Sequence, residues 1–293
     1  MQNHTWFLIF KTMRPKQWSK NLLLFSALIF SQNLLNPAML GEAFIAFIIF
    51  CLLSGSVYIL NDLLDLQQDR AHPQKSKRPL ASGRLKPSIA IISGIVLVVL
   101  SLTSAFWLNT SFALVALGYF ILQIAYSTLL KHIVILDVLA ISTGFVLRAF
   151  AGGEVIEVPI SSWLLICTIL LALFMALGKR RHEIILLEED AVHHRKILYE
   201  YSPALLDQMI SVATASTVIA YALYTMSAET IEKFHTDNLK YTIPFVLYGI
   251  FRYLYLIHQK NEGGSPERIL LNDKPLLLNI ILYLITVWLF LYF

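Results

Sequence analysis

Long apolar runs separated by short polar stretches dominate this chain of 293 residues. Most runs are about 17–22 residues long, the length at which an α-helix crosses a bilayer. The pattern therefore predicts an all-α, polytopic membrane protein that forms a single domain over residues 1–293. We predict nine transmembrane helices, at residues 20–36, 41–61, 87–107, 111–129, 134–153, 160–178, 205–227, 241–258 and 276–292.

Composition supports a membrane protein and argues against a soluble domain. Hydrophobic residues make up 57% of the chain and charged residues 14%, whereas charged residues make up about 25% of an average soluble domain. Cys51 and Cys167 both lie within apolar runs and lack metal-ligand spacing, so we interpret them as packing residues. We expect a lipid bilayer around the chain and no nucleic-acid partner.

The basic residues are distributed unevenly between the two sides of the predicted bundle. Nearly all of them lie in the N-terminal segment and in the loops after spans two, four, six and eight, whereas the opposite loops carry only Lys233 and Lys240. Cytoplasmic loops are enriched in Lys and Arg. This asymmetry predicts a protein of the cell inner membrane, with a cytoplasmic N-terminus and an external C-terminus.

Three aspartates follow the second span in the stretch NDLLDLQQDR. On a continuous helix, Asp62, Asp65 and Asp69 would share one face, because their spacings are three and four residues. Carboxylates grouped beside lipid are costly unless a cation neutralises them. Mg²⁺ binds carboxylates and substrate phosphates together, so we predict that these aspartates are metal ligands and catalytic residues that handle a diphosphate.

Two long cytoplasmic loops, about 62–86 and 179–204, are predicted to form the polar site. In the first, Lys75 and Arg78 follow the aspartates and would neutralise phosphate oxygens. Asn61 precedes the aspartates, and we predict that it also binds substrate. The alternative interpretation of the basic residues is an ordinary charged loop beside the membrane. That alternative does not account for three aspartates joined to a hydrophobic span.

The motif N-D-x-x-D-x-x-x-D, followed by R-x-H-P-x-K-x-x-R-P-x-A-x-G, resembles the first aspartate-rich motif of the UbiA superfamily of intramembrane prenyltransferases. The resemblance extends over essentially the whole chain. It implies nine helices around a central cavity that is open to the cytoplasm for the polar substrate. It also implies a lateral opening toward lipid for the polyprenyl chain.

The region after span six departs from the pattern of family members that have aromatic acceptors. Those members carry a second D-x-x-x-D motif there, whereas this chain has GKRRHE, including Lys179 and Arg180. Cations suit additional phosphate groups, although a stop signal for membrane insertion would also be basic. Together with RPKQWSKN, GFVLRAFAG and PERILLNDKPL, this segment resembles a phosphoribosyltransferase branch of the family.

That branch transfers 5-phosphoribose from phosphoribosyl pyrophosphate (PRPP) to a polyprenyl phosphate, with Mg²⁺ as the implied cofactor, and its product serves cell-wall biogenesis. The runner-up function is transfer from a polyprenyl diphosphate to an aromatic acceptor. A third alternative is a lipid-phosphate transporter. Transport by alternating access needs groups near the membrane midplane, which a metal cluster confined to one side does not provide.

The third polar segment runs from Tyr126 through Lys131 and Asp137 to Arg148 and ends near Gly152-Gly153. An Asp and an Arg within one span need partners or a polar cavity. We predict substrate-binding roles for Tyr126, Lys131, Asp137 and Arg148, and a structural ion pair within the bundle is the alternative. Lys20 precedes span one and is either a substrate ligand or an interfacial anchor. The apolar outer faces also allow a homo-oligomer.

Overall fold

In a computed structural model of the chain, residues 5–71, 74–189, 197, 200–260, 263–264 and 266–292 are described. His72, His193 and His194 fall outside these ranges. Helices account for all of the regular secondary structure within them, so the all-α prediction is confirmed. The α-helices are α1 Thr5–Thr12, α2 Phe25–Phe30, α3 Pro37–Leu64, α4 Leu66–Ala71, α5 Pro87–Leu108, α6 Thr110–Thr128, α7 Leu136–Val155, α8 Ser162–Glu189, α9 Pro203–Met226, α10 Ala228–Phe234, α11 Ile243–Gln259, α12 Pro266–Asn272 and α13 Lys274–Tyr292.

Seven of the described helices are long and apolar enough to cross a membrane: α3, α5, α6, α7, α8, α9 and α13. Two predicted spans have a different form. The first is not one helix, because a 3₁₀ segment at Pro15–Leu24 is followed by the six residues of α2. The eighth coincides with α11, which has 17 residues, close to the lower limit of about 17 for crossing a bilayer.

The sixth predicted span ends too early. The sequence predicts a loop over about 179–204, but α8 continues to Glu189. Residues 179–185 therefore lie on the extended end of a helix, where side chains three or four positions apart are neighbours.

Polar residues between the apolar runs act as helix caps. The Asn36 side chain accepts hydrogen bonds from two backbone N–H groups at the start of α3, where Pro37 occupies the first helical position. Asn109 caps α6 and Ser202 caps α9 in the same way. Such side chains satisfy N–H groups that have no partner within the helix, so each helix start is encoded locally.

The chain divides into two compact units, and the boundary passes through α7. Unit 1 consists of Met1–Ile133 and Thr143–Ile160, and unit 2 of Val134–Ser142 and Ser161–Phe293. The first third of α7 thus belongs to unit 2 and the remainder to unit 1. Each unit has its own hydrophobic core.

Two apolar clusters in unit 1 hold the elements that carry its polar residues. One centres on Leu24, Phe50 and Phe112 and joins the 3₁₀ segment to α3 and α6. The other includes Leu80 and Leu85, which are almost fully buried. These two leucines anchor the connection between α4 and α5 and thereby fix the backbone on either side of its turn.

The core of unit 2 joins the first residues of α7 to helices α8, α9, α11 and α13. Phe174 and Leu177 of α8 lie within it, together with Leu206 of α9 and Tyr253 and Ile257 of α11. A Cβ atom at Gly178 would lie 2.9 Å from the Ile257 Cδ1 atom. The absence of a side chain at this position allows α8 and α11 to approach closely, directly before the basic segment of α8.

We predict that Gly152→Ala destabilises unit 1. A Cβ atom at Gly152 would collide with the backbone carbonyl of Leu24, and a backbone atom cannot move aside as a flexible side chain can. Overpacking of this kind costs about 1–3 kcal/mol, which thermal unfolding of the detergent-purified protein would detect. Gly118→Ala is the matched control, because a Cβ atom there meets nothing within 4 Å. Equal melting temperatures for the two variants would contradict the close approach of α7 to Leu24.

Candidate functional site

The three predicted aspartates do not lie on one continuous helix. Asp62 is in the last turn of α3, Asp65 caps the end of that helix, and Asp69 belongs to the separate helix α4. The expectation of a single helical face is therefore wrong at Asp65. The break between α3 and α4 sends the Asp65 carboxylate to a different partner from the other two.

Arg78 brings the carboxylates of Asp62 and Asp69 together. Its Nη1 atom lies 3.2 Å from Asp62 Oδ1 and 2.5 Å from Asp69 Oδ2. Asp62 and Asp69 are only 2% and 3% exposed. Two buried anions at one point repel each other strongly, because charges interact more strongly away from water. The shared guanidinium is the cation that compensates for this repulsion.

Two further cations complete the aspartate cluster, which we define as Asp62, Asp65, Asp69, Arg14, Arg78 and Lys131. The Arg14 guanidinium forms an ion pair with Asp62 and lies 5.0 Å from the centre of the Tyr58 ring. Lys131 Nζ lies 2.9 Å from Asp65 Oδ1. The cluster thus contains three carboxylates and three cations, so each charge has a partner of opposite sign.

The carboxylates of this cluster fit a Mg²⁺ ion in part. Asp62 and Asp69 converge on one nitrogen atom, so their oxygens can also converge on one metal ion. Mg²⁺ in enzymes that act on phosphates is usually bound by one or two carboxylates together with the substrate. Among the residues that the structure describes, no group of three or more His, Cys, Asp or Glu side chains is arranged to hold a metal ion. The third carboxylate, that of Asp65, is bound to Lys131.

Arg148 lies on the part of α7 that belongs to unit 1 and has neutral partners. Its Nε, Nη1 and Nη2 atoms donate to Asn21 Oδ1, the Gly144 carbonyl and the Tyr119 hydroxyl, at 2.8, 2.8 and 2.7 Å. The guanidinium also lies 4.7 Å from the centre of the Tyr119 ring. Asp137 and Arg148 have separate partners: Arg148 contacts these neutral groups, whereas Asp137 forms a structural ion pair with Arg180.

Asp137 belongs to a buried network in unit 2. Its Oδ2 atom accepts a hydrogen bond from Arg180 Nε at 2.7 Å, and its Oδ1 atom accepts one from the Tyr201 hydroxyl at 2.7 Å. The Tyr201 oxygen in turn accepts from the backbone N–H of Ile135. Asp137 is fully buried, so these bonds replace its lost hydration.

Burial, and secondarily the hydrogen bond to Asp137, raises the pKa of Tyr201 to about 12. The hydroxyl therefore stays protonated at physiological pH and can donate to the carboxylate. Tyr201 tethers the chain just before α9 to the start of α7. It holds the carboxylate that orients Arg180, which makes it a positioning residue for that guanidinium.

The basic segment at the end of α8 is compensated by carboxylates. Arg180 Nη1 lies 2.5 Å from Glu183 Oε2, and Arg181 Nε lies 2.6 Å from Asp207 Oδ1. Lys179 is more exposed, with its Nζ atom 4.0 Å from Glu183 Oε1. The positions predicted to bind phosphate are thus ordered by acidic neighbours within unit 2.

The remaining predicted residues occupy different parts of unit 1. Lys20 is half-buried in the 3₁₀ segment, and Asn61 lies in the last turn of α3. Lys75 is exposed at the start of a short 3₁₀ turn that ends at Lys77. Tyr126 is half-buried on α6, seven residues after Tyr119.

Several residues with well-defined contacts were not among the predicted site residues. Arg14 and Asn21 stood out only as part of the segment RPKQWSKN before span one. Tyr119 and Tyr201 gave no sequence signal, because a Tyr in or beside an apolar run is common. Their roles depend on partners that are far away in sequence, such as Arg148 for Asn21 and Asp137 for Tyr201.

A model of the UbiA prenyltransferase family matches residues 22–272. The chain is 34% identical to the decaprenyl-phosphate phosphoribosyltransferase of Mycolicibacterium smegmatis, over 97% of this chain and 92% of that protein. It is 34% identical to the enzyme of the same name from Corynebacterium glutamicum, over 91% of this chain and 81% of that protein. It is 31% identical to the enzyme of that name from Mycobacterium tuberculosis, over 95% of this chain and 92% of that protein.

The fold is similar to that of solved structures at lower sequence identity. A UbiA homologue from Archaeoglobus fulgidus bound to DMAPP and Mg²⁺ has a TM-score of 0.73 at 22% identity and covers 97% of this chain and 98% of its own. The same homologue bound to GPP and Mg²⁺ has a TM-score of 0.73 at 21% identity and covers 98% of this chain and 100% of its own. These similarities establish the fold.

We predict that Tyr201→Phe destabilises unit 2 without removing any apolar contact of the ring. The substitution leaves the Asp137 carboxylate and the Ile135 N–H each without one hydrogen-bond partner. A buried polar group that loses its partner costs about 1–3 kcal/mol. Thermal unfolding should show the loss, whereas Tyr241→Phe, in which the substituted ring is 61% exposed, should leave the melting temperature unchanged. A Tyr201→Phe protein as stable as the parent would contradict this role.

We predict that Arg78→Gln increases the response of the protein to Mg²⁺. Without the bridging guanidinium, Asp62 and Asp69 repel each other, and a divalent cation can bind them without displacing Arg78. Mg²⁺ should then stabilise the variant by about 1 kcal/mol more than the parent, or about 2–4 °C in melting temperature. Arg84→Gln is the control, because Arg84 bonds to Ser82 and the Lys77 carbonyl. An equal Mg²⁺ response in all three proteins would argue against a metal site here.

Proposed function

Because this chain belongs to the UbiA prenyltransferase family, we propose that it transfers 5-phosphoribose from PRPP to a polyprenyl phosphate of the decaprenyl type and releases pyrophosphate. The names of the relatives that match nearly the full chain support a phosphoribosyl transfer to decaprenyl phosphate. The observation that carries the proposal is the aspartate cluster, where three carboxylates meet three cations. Such a mixture suits a substrate that brings both a metal ion and several phosphates.

Asp62 and Asp69 would hold Mg²⁺ on the donor diphosphate, with Asp65 as a third ligand directly or through water. When bound, Mg²⁺ polarises the leaving diphosphate and offsets its charge. The cations that now contact the aspartates, including Arg78 and Lys131, would then turn to phosphate oxygens. This exchange of partners keeps the buried charges compensated with and without the donor.

The reaction forms a bond between a lipid phosphate oxygen and ribose C1 as the bond from C1 to the diphosphate oxygen breaks. The electron pair leaves with pyrophosphate, and attack from the opposite face inverts the configuration at C1. The attacking oxygen is already anionic at neutral pH, so no general base is needed. Positioning and charge stabilisation by the chain's own residues would supply the catalysis.

The other predicted residues keep their proposed roles as substrate ligands. Lys75 is exposed on the connection between α4 and α5, and we assign it to the donor phosphates. Lys20, Asn61 and Tyr126 supply polar groups in unit 1. In unit 2, Lys179, Arg180 and Asp137 form an ordered set of charges that we also assign to substrate binding.

We further propose that a single transmembrane domain crosses the inner membrane nine times around a cavity open to the cytoplasm. The seven apolar helices, the 17 residues of α11 and the 3₁₀ segment with α2 are consistent with this number. The uneven distribution of Lys and Arg supports a cytoplasmic aspartate cluster and N-terminus and an external C-terminus. Oligomerisation through the apolar outer faces is part of the same proposal.

We predict that purified protein moves radiolabel from PRPP into the organic phase when polyprenyl phosphate and Mg²⁺ are present, and that EDTA abolishes the transfer. Asp62→Asn should reduce transfer by about a hundredfold or more, because it removes one charge from a metal ligand. Asp237→Asn, at an exposed Asp–Lys pair, is the control for an equivalent substitution elsewhere.

Full transfer by a folded Asp62→Asn protein would contradict the role of the aspartates. A parent protein that does not transfer phosphoribose but joins a polyprenyl diphosphate to an aromatic acceptor would establish the runner-up function. Lipid that is moved across vesicle membranes and recovered unchanged after incubation with PRPP and Mg²⁺ would indicate a transporter.

A further inference from the structure

Among the residues that the structure describes, Arg148 is a buried cation whose partners are all neutral groups. Its side chain is 5% exposed, and all three of its hydrogen bonds go to neutral oxygen atoms of Asn21, Gly144 and Tyr119. None of the ion pairs within the described ranges includes it. A guanidinium keeps its charge under all ordinary conditions, so unit 1 contains a buried positive charge that is held by neutral groups, including the faces of the Tyr119 and Phe145 rings.

The guanidinium has capacity for another ligand. It carries five N–H groups, and the three hydrogen bonds use one on each of its nitrogen atoms. One N–H therefore remains on each terminal nitrogen, which is the arrangement that binds two oxygens of a phosphate. The neutral partners fix the orientation of the guanidinium without cancelling its charge.

A continuous set of polar side chains connects Arg148 to the aspartate cluster along α3. Asn21, which accepts from Arg148, also donates to Ser54 Oγ at 3.2 Å. Tyr58 lies one turn further along α3 and contacts Arg14, and Asp62 lies one turn beyond that. The eight residues from Ser54 to Asp62 correspond to about 12 Å along a helix.

Helix α6 has a second row of polar side chains. Tyr119, Gln123 and Tyr126 are spaced by four and three residues, so they share one face. The Gln123 amide lies beside Gly144, where a Cβ atom would be 3.0 Å from its Nε2 atom. After Tyr126, the chain continues to Lys131 and its partner Asp65.

We propose that Arg148, held by Asn21 and Tyr119, binds the phosphate of the polyprenyl phosphate acceptor. This inference rests on the proposed function and assigns the acceptor's place within it. The donor diphosphate would occupy the aspartate cluster, and the ribose would lie along the polar side chains between the two ends. Arg148 is then a binding residue, whereas Asn21 and Tyr119 are positioning residues.

This placement is consistent with the physical properties of the two substrates. The donor is soluble, so it would arrive from the cytoplasm and reach the aspartates at the end of α3, on the side that the proposed orientation makes cytoplasmic. The acceptor carries a long hydrocarbon chain, so its phosphate would approach from the lipid side and bind the buried Arg148. The acceptor oxygen would then attack ribose C1 from the face opposite the diphosphate, as inversion requires. One C–O bond forms, one C–O bond breaks, and pyrophosphate takes the electron pair.

The first test is the steady-state kinetics of full-length parent, Arg148→Gln and Arg148→Lys proteins in detergent. Arg148→Gln should raise KM for polyprenyl phosphate about tenfold or more, while KM for PRPP changes less than about twofold. Arg148→Lys should recover part of the affinity for the acceptor, because it restores the charge. Arg252→Gln is the matched control, since Arg252 has Asp273 as its counterion. A similar rise in both KM values, or a loss of kcat alone, would overturn the proposal.

The second test uses binding without the donor, so its outcome does not depend on the transfer reaction. Polyprenyl phosphate should raise the melting temperature of the parent more than uncharged polyprenol does, and Arg148→Lys should retain part of this difference. Equal stabilisation by the two lipids would overturn the proposal. If inorganic phosphate raises the melting temperature as much as polyprenyl phosphate does, Arg148 binds free phosphate and not the acceptor. If the protein binds polyprenyl phosphate more tightly than polyprenol but does not transfer phosphoribose from PRPP, only the proposed function is refuted.

Discussion

Compensation of buried charge is the constraint on which the polar part of this protein depends. A charge that leaves water for a membrane interior is costly unless an opposite charge or several hydrogen bonds replace its hydration. Arg78 satisfies this requirement for Asp62 and Asp69 at once, with one nitrogen atom between two almost fully buried carboxylates. Removing either partner from such a group costs more than the contact contributes, because the remaining charge stays buried.

The backbone around these charges is fixed by packing. Leu80 and Leu85 are buried in an apolar cluster and hold the turn that follows Arg78. The glycine at position 152 allows α7 to approach the backbone of Leu24 directly, which brings the 3₁₀ segment and its Asn21 close to Arg148. Polar side chains in unit 1 are therefore positioned by apolar residues and by the absence of a side chain at one contact.

The two units compensate their charges differently. In the aspartate cluster of unit 1, one stretch of chain contributes the three carboxylates. Two of the cations, Arg14 and Lys131, come from distant segments, and Arg78 comes from the connection that follows α4. In unit 2, the basic end of α8 supplies the cations, and Asp137 and Asp207 come from other helices. The cations of unit 1 contact the same carboxylates that the proposed Mg²⁺ would use, so a bound metal would replace them there. In unit 2, Asp137 is held by both Arg180 and Tyr201.

The sequence alone determined the helical class, the membrane location of most helices and the acidic and basic segments. These features depend on the length of apolar runs and on local residue spacing, and both can be determined from one segment of the sequence alone. It also indicated the family, because the aspartate-rich motif is local. Tertiary contacts decided three other features: the divided first span, the continuation of α8 to Glu189 and the separation of Asp65 from Asp69. Apolar pattern does not distinguish a regular helix from a broken one whose ends are held by neighbouring helices.

Pairing of charges was decided only by the tertiary structure. Asp62, Asp65 and Asp69 are equivalent in spacing, yet two of them meet Arg78 and one meets Lys131, 66 residues away. Likewise, Arg148 and Asp137 share a helix in sequence, but Asp137 binds Arg180 and Arg148 binds neutral groups. An ion pair needs two side chains within a few ångströms, and their separation depends on how distant helices pack. The sequence therefore specified which charges exist, and the fold determined which of them are compensated.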